Sequence, residues 1–119
     1  MSRRYRRHYP MITKILTEAG VPHRKARYTS KPLPDTYTVY FDDREANGAD
    51  GINCLITHNV TIEVYEAKPD DAAEMAIENA LDAAGVEWTS QSRYWIAEEQ
   101  RYQIIYEFTY IEKRRITHG

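Results

Sequence analysis

Ile52 to Tyr65 (INCLITHNVTIEVY) is the stretch that decides the fold, and it has an echo at Tyr102 to Ile111 (YQIIYEFTYI). In both stretches apolar and polar residues alternate, as they do along an extended strand with one buried face. A strand over 52–65 spans roughly 46 Å at ~3.3 Å per residue, whereas most strands in compact domains have about five or six residues. A domain of 119 residues has a core too small to cover such a strand. We therefore expect another chain to complete it.

Length and composition indicate one globular domain. With 119 residues, 42% of them hydrophobic and 29% charged, the chain is long enough to form a core without disulfide or metal support. The single cysteine, Cys54, falls on the apolar side of the long strand, which favours a buried small side chain over a reactive thiol. The sequence has neither an apolar run of membrane-spanning length nor a secretory signal. It therefore predicts folding in a reducing cytoplasm and no membrane partner.

Charge is distributed unevenly along the chain. Residues 1–31 contain nine Lys or Arg and one acid, whereas the rest of the chain contains seven basic and seventeen acidic side chains. A basic segment on an otherwise acidic chain favours binding to an acidic partner. That partner is either protein, including other copies of this chain, or nucleic acid. We expect residues 1–10 to be a basic, flexible arm, 11–113 to be the folded domain and 114–119 to be a flexible tail. The candidate docking residues of the arm are Arg3, Arg4, Arg6 and Arg7.

Hydrophobic periodicity predicts two helices and four strands. A short helix over 11–19 ends at Gly20, and an alanine-rich helix that follows Pro69 ends at Gly85. The other elements alternate with a period of two residues. The strands are expected at 36–42, 52–65, 86–96 and 99–112, with a connector at 23–35 and a polar hairpin loop at 42–51. The order α-β-β-α-β-β predicts an α+β fold, in which an antiparallel sheet has its helices packed on one face.

Catalytic and metal-binding motifs are missing from the sequence. It contains no phosphate-binding, dinucleotide-binding, zinc or nucleophilic-serine motif. His58, on the apolar face of the long strand, is expected to be a hydrogen-bonded core or interface residue, not a catalytic residue or metal ligand. Asp43 and Glu45 mimic the start of a calcium loop, but Cys54 stands where that loop needs a bidentate glutamate. The sequence therefore predicts a protein that is not an enzyme and has no cofactor or metal, with a mobile surface loop at 42–51.

Aromatic residues are concentrated in the second half of the chain. In the third strand, Trp88 and Tyr94 are expected on one face and Trp95 on the other. The last strand places four aromatic residues on one face: Tyr102, Tyr106, Phe108 and Tyr110. Such a face could stack bases, as in an RRM-type sheet, or pack against a helix or a neighbouring subunit. Because the run lacks the glycines of an RRM signature and the body is acidic, we interpret these four residues, Trp95 and His58 as a candidate subunit or partner interface.

From Met11 to about Lys113 the chain resembles the small tail-terminator (tail-completion, or head-tail joining) proteins of long-tailed bacteriophages. The resemblance rests on the order of four features. These are the opening helix MITKILTEAG, the strand pair TVYFDD and ADGINCLITHNVTIEVYEAKPD, the alanine-rich helix with its Gly85, and the run SRYWIAEEQRYQIIYEFTYI. The arginine-rich start, Ser2 to Tyr9, lies outside the resemblance.

The resemblance implies a non-enzymatic ring, commonly a hexamer, that caps the tail tube and docks it to the head connector. The chain would then be a structural protein of a virion tail, phage- or prophage-encoded and made in the bacterial host cytoplasm. Its partners would be copies of itself, tail-tube proteins and head-connector proteins, with DNA passing through the channel without sequence-specific binding. The residues themselves leave one alternative, a small RRM-like or basic-arm nucleic-acid-binding module. A small enzyme of ferredoxin-like fold is disfavoured because no catalytic constellation is found.

Overall fold

The computed structural model describes residues 11–47 and 53–115. Its fold is α+β, as the sequence predicted, with two helices and one six-stranded sheet. In chain order the elements are α1 (Met11–Ala19), β1 (His23–Lys25), β2 (Thr36–Asn47), β3 (Asn53–Glu66), α2 (Asp71–Ala83), β4 (Trp88–Ser90), β5 (Tyr94–Ile96) and β6 (Arg101–Arg115).

The sheet is built around three long antiparallel strands. Its order is β1-β2-β3-β6-β4, and β5 also pairs with β6. β3 pairs with β6 over its whole length, from Asn53 opposite Arg115 to Glu66 opposite Tyr102. On its other side β3 pairs with β2 from Asn47 opposite Leu55 to Thr36 opposite Glu66. β3 is thus the central strand, and its alternating pattern sets which side chains of β2 and β6 share a face.

Both helices cover the same face of the sheet. The strand residues beneath them are the apolar even-numbered positions of β3 and β6, which pair directly opposite one another. They pack against the apolar stripe of each helix, where residues recur at a spacing of three or four. The buried cluster comprises Ile12, Ile15, Leu16, Val60, Ile62, Val64, Ile77, Ala80, Leu81, Ile104, Tyr106 and Phe108. Each large aliphatic side chain buried here contributes about 1.5–3 kcal/mol to stability, so this face anchors the fold.

Local signals set the ends of α2. Asp70 is the N-cap residue, and its Oδ1 accepts a hydrogen bond from the amide of Ala73 at 3.0 Å. The other carboxylate oxygen of Asp70 accepts from the Thr36 hydroxyl at 2.6 Å, which ties the helix start to β2. At the other end Gly85 adopts φ +75°, a left-handed conformation that favours glycine. The helix is therefore bounded as its sequence predicted.

The polar stretch after Asp42 is strand, not loop, as far as Asn47. The sequence predicted that the first strand ends near Asp42 and that a mobile loop covers 42–51. Instead Asp42 to Asn47 pair in register with Val60 to Leu55 of β3. Pairing with a long neighbour supplies backbone hydrogen bonds that outweigh the weak strand propensity of the acidic residues. The rest of the predicted loop, 48–52, lies outside the described residues.

The single strand predicted over 86–96 is divided into β4 and β5, and the break changes which face the later side chains occupy. Ser90 pairs with Tyr106 and Tyr94 with Gln103, so four steps along one strand match three along the other. An extra residue of this kind is a bulge, and it inverts the alternation beyond it. Trp95 therefore shares the helix-covered face with Trp88, and Tyr94 lies on the opposite face. The predicted pairing of Trp88 with Tyr94 on one face was wrong for this reason.

Part of the face opposite the helices is also covered. Tyr37 and Tyr65, on β2 and β3, stack with ring centroids 5.1 Å apart, and Tyr28 from the preceding connector packs on Tyr37 at 5.1 Å. Arg101 donates a hydrogen bond to the carbonyl of Pro34 at 3.1 Å. The segment 23–35, predicted as a connector, thus contains the parallel strand β1 and also shields this end of the sheet.

Glu66 is a fully buried carboxyl group at the end of β3. Its Oε1 accepts a hydrogen bond from the amide of Asp70 at 3.0 Å and lies 3.4 Å from Nε of Arg93. Arg93 also pairs with Glu74, at 2.6 Å, and with Asp71, at 2.9 Å, so one guanidinium contacts three carboxyl groups. Burial, followed by the nearby Glu74, raises the pKa of Glu66 to about 8, although the Asp70 amide and Arg93 act in the opposite direction. Glu66 therefore keeps its proton to a higher pH than an exposed glutamate does.

We expect Glu66→Gln to remove a pH dependence of stability. In the wild type the folded state keeps a proton on Glu66 between about pH 4.5 and 8, whereas the unfolded state has lost it. The folded state binds more protons, so the wild-type free energy of unfolding should fall as pH rises through this window, by at most ~1.4 kcal/mol per pH unit from this group. Urea unfolding from pH 5 to 8 should show the variant gaining on the wild type with rising pH. The matched control is Glu107→Gln, at an exposed position on the same sheet. A constant difference between variant and wild type would contradict the assignment.

Candidate functional site

The distal end of the sheet is the part of three strands that extends beyond the buried core. We define it as residues 42–47 of β2, 53–60 of β3 and 108–115 of β6, which pair row by row. The main buried cluster reaches as far as the row formed by Val60 and Phe108, and beyond that row Ile56 and His58 of β3 are also buried. The distal end is therefore where the strand over 52–65, which was predicted to be too long for one domain, extends past the main buried cluster.

His58 joins the three strands at the distal end. Its Nδ1 lies 2.8 and 3.0 Å from the two carboxylate oxygens of Asp42 on β2, and its Nε2 lies 2.8 Å from Oε1 of Glu112 on β6. The ring also stacks on Tyr110, with centroids 4.3 Å apart and an interplanar angle of 3°. Both ring nitrogens thus lie within hydrogen-bond distance of a carboxylate oxygen, so the ring bridges an acidic side chain of β2 and one of β6.

Burial makes this three-residue cluster a structural link. The side chains of His58 and Asp42 are 5% and 9% exposed, and that of Glu112 is 34% exposed. The hydrogen bond from His58 lowers the pKa of Glu112 below its usual range, with help from Arg114 and against the effect of burial. Both ring nitrogens of His58 are engaged by carboxylate oxygens. His58 therefore matches the hydrogen-bonded, buried role that the sequence suggested.

A cavity of about 660 Å³ lies between α1 and the cluster. Its charged lining mixes both signs, with three cations and three acids: Lys14, Arg44, Arg114, Glu18, Asp42 and Glu112. Two of the acids are engaged by His58. Such a lining selects neither an anion nor a cation, and we assign no ligand to it.

Two apolar side chains are exposed on the distal end, on the face away from the helices. Leu55 is 37% exposed and Ile111 is 66% exposed. Ile111 pairs across β3 with Thr57, which pairs in turn with Glu45 of β2. Leu55 lies two residues along β3 from Thr57, on the same face. The two side chains form a small apolar patch among polar ones, as at the edge of a protein interface.

The outer edges of β2 and β6 are open at the distal end. β1 pairs with β2 only at residues 38–40, and β4 pairs with β6 only at residues 106–108. Within the described residues no strand pairs with the outer edge of β2 over 42–47 or of β6 over 109–115. Open edges present backbone N–H and C=O groups to which another strand can add.

The candidate interface residues fall into three environments. Tyr106 and Phe108 are 0% and 4% exposed beneath the helices, and the Tyr106 hydroxyl donates to Glu78 at 2.7 Å. The apolar stripe of the helices needs these rings as its floor, so they are core residues and not a free interface. Tyr110 is half-buried against His58, which is itself buried. Of this set, only Trp95, 46% exposed and in edge contact with Tyr102, offers a surface.

The other predicted docking residues, Arg3, Arg4, Arg6 and Arg7, lie outside the described residues.

Sequence reasoning missed the partners of the buried polar groups. Asp42 and Glu112 were not recognised as the residues that hold His58, and Glu66 was not recognised as a buried acid. The available signal was the alternation itself, since a histidine on an apolar face needs polar partners on the neighbouring strands. Within the ranges that the structure describes, we find no group of three or more His, Cys, Asp or Glu side chains that could hold a metal ion. None of the helices described is long and apolar enough to cross a membrane.

Comparisons with known proteins support the fold. No protein-family model and no curated protein sequence matches this chain. Among solved structures, a chain of the "Virion of native gene transfer agent (GTA) particle" has a similar fold, with a TM-score of 0.55. The two chains are 14% identical, and the match covers 80% of this chain and 81% of the other. At this identity the similarity establishes a shared fold.

We expect His58→Ala to lower the free energy of unfolding by about 2–4 kcal/mol, because it leaves the nearly buried Asp42 carboxylate without its hydrogen-bond partner. Adding Asp42→Asn should recover part of the loss, since a neutral amide needs no counter-charge. Asp43→Ala, one residue along and exposed, is the control and should change stability by less than ~0.5 kcal/mol. Urea unfolding at pH 7 gives all four values. A change below ~0.5 kcal/mol in His58→Ala would mean that the cluster does not hold the strands together.

Proposed function

We propose that this chain is a non-enzymatic structural protein of a phage-type virion, which assembles with copies of itself into a ring at the head-proximal end of a tail. In this role, that of a tail-terminator or head-tail joining protein, it binds the tail tube on one side and the head connector on the other. The protein is then made in the bacterial host cytoplasm and becomes part of the virion tail.

The observation that carries the proposal is the distal end of the sheet. Three paired strands continue past the core, with open edges and with Leu55 and Ile111 exposed on one face. Long open edges are a risk for a monomer, because they invite pairing with other chains. A ring removes that risk by covering each edge with the next copy.

The fold similarity supports the same reading from an independent direction. The matched chain belongs to a structure described as a virion of a gene transfer agent particle, and the match covers four-fifths of both chains. Fold alone does not determine function. Together with the distal end, however, it favours a virion component over other small α+β proteins.

The charge distribution suits a channel for DNA. After residue 31 the chain contains seventeen acidic and seven basic side chains. An acidic lumen repels phosphate, so DNA would pass through the ring without being held. Sequence-specific binding is not needed for this role.

The RRM-like alternative loses its main support. Base stacking on a sheet requires aromatic rings that are open to the nucleic acid. Of the four rings that prompted this alternative, Tyr106 and Phe108 lie beneath the helices. A nucleic-acid role would therefore depend on the basic residues within 1–31 and not on these two rings.

We expect the protein to form oligomers in a concentration-dependent manner, and Ile111→Asp to weaken them without unfolding the chain. The substitution places a charge on the exposed apolar patch, where a neighbouring copy would have to desolvate it. Met75→Asp, 61% exposed on α2 and away from the distal end, is the matched control and should leave assembly unchanged. Light scattering coupled to size-exclusion chromatography measures the mass, and negative-stain microscopy tests for rings. A wild type that stays monomeric at high concentration would contradict self-assembly.

We expect removal of residues 1–10 to leave the fold intact, because that segment contributes no periodic apolar positions. If the arm docks on acidic protein surfaces, the truncated chain should bind DNA as weakly as the full-length chain. Gel shifts of both at about 50 and 200 mM salt measure this, since phosphate contacts weaken steeply with salt. Arm-dependent DNA binding that is still tight at the higher concentration would favour the nucleic-acid role instead.

A further inference from the structure

The two open edges of the distal end are similar in length and lie on opposite sides of the sheet. Residues 42–47 of β2 and 109–115 of β6 each extend roughly 20 Å at ~3.3 Å per residue. β3 lies between them and pairs with both. One copy therefore carries two different edges, each long enough to accept a strand.

The two edges carry opposite charge. The β2 edge, DDREAN, contains three acids and one arginine, and the β6 edge, TYIEKRR, contains three cations and one glutamate. Asp43, Arg44 and Glu45 are exposed on the first edge, two acids to one cation. Lys113 and Arg114 are exposed on the second, where Arg114 also pairs with Glu112 at 3.1 Å. Of these, Asp43, Glu45 and Lys113 point to the face away from the helices, as their register across β3 shows.

Opposite charge on the two edges selects which edges can meet. Charged side chains on an edge strand often prevent pairing altogether. If both edges carried charge of the same sign, strand pairing between any two copies would be unfavourable. Here a β2 edge would meet like charge on a second β2 edge, and a β6 edge on a second β6 edge, which is unfavourable. Only the pairing of β6 with β2 brings unlike charges together.

The direction of the strands fixes how that pairing runs. β2 and β6 are both antiparallel to β3, so they are parallel to each other. Copies related by rotation about an axis along the strands keep that direction, and β6 of one copy would run parallel to β2 of the next. An interface between two different edges is heterologous, and it closes into a ring when the rotation closes. The exposed Ile111 lies within the β6 edge and would be covered in every copy.

We propose that copies of this chain join head to tail by parallel strand addition, in which the β6 edge (109–115) of one copy pairs with the β2 edge (42–47) of the next. The proposal rests on the proposed ring assembly and specifies its interface. It makes the continuous sheet, rather than the helices or the aromatic residues, the structure that links the copies.

Disulfide trapping between single-cysteine variants tests the interface. In a Cys54→Ser background, a Glu45→Cys chain is mixed with a tagged chain that carries cysteine at Thr109, Ile111 or Lys113, three positions on one face that sample the register. Glu45 and Ile111 lie in one row on either side of β3, so their Cα atoms within a copy are ~9.6 Å apart, too far for a disulfide. A chain with cysteines at both positions would therefore form only intermolecular bonds. Met75→Cys replaces Glu45→Cys in the control mixture.

The size and tag of each disulfide-linked product identify which variants it contains. We expect mixed dimers of the β2 variant with at least one β6 variant, at least about tenfold more than either variant forms with itself, since unlike charges favour the mixed pair. The chain with both cysteines should give a ladder of higher oligomers. Dimers of identical variants in equal amount would overturn the proposal. Oligomers seen by light scattering without any mixed disulfide would overturn this interface and leave ring assembly standing. A monomeric protein would contradict both.

Discussion

The pairing of β3 with β6 is the interaction on which the rest of the structure depends. It places the apolar positions of the two strands side by side, so that Val60, Ile62 and Val64 face Phe108, Tyr106 and Ile104 beneath both helices. The same ladder continues past the helices and holds the distal end extended. One set of backbone hydrogen bonds thus supports both the core and the surface that we propose for assembly. The buried link through His58 adds β2 to that ladder at the point where the apolar core stops.

The sequence predicted the elements whose pattern is local. Both helices, the long central strand and the last strand were identified because each repeats its own period over many residues, and the α+β class with helices on one face follows from their order. The features that the sequence did not predict depend on contacts between residues that are far apart in the chain. Strand 42–47 exists because β3 is available to pair with it, β1 because β2 lies beside it, and the switch of faces before Tyr94 because one extra residue is accommodated against β6. Composition within a window of ten residues carries none of this information.

The candidate site was predictable to a lesser extent. The place of His58 on an apolar face indicated a buried, hydrogen-bonded side chain, but its partners are 16 and 54 residues away and come from two other strands. The aromatic residues on one face of β6 were predicted correctly as a group, but such a face can belong to a core or to an interface. Only the position of the helices distinguishes these two cases. The open edges of β2 and β6 were invisible in the sequence because edge status depends on where neighbouring strands stop. The arginine-rich arm remains a proposal, since residues 1–10 lie outside the described range.

The late position of β6 in the chain has a consequence for how the domain folds. Residues paired between β3 and β6 are separated by 36 residues at one end, Glu66 and Tyr102, and by 62 at the other, Asn53 and Arg115. The β2–β3 hairpin is local by comparison and can form early, whereas contacts of large sequence separation form slowly. During synthesis the hairpin and both helices precede β6, so one edge of β3 stays unpaired until β6 leaves the ribosome. Folding of this domain is therefore completed after translation of its last strand, and the nascent hairpin is the species most exposed to aggregation.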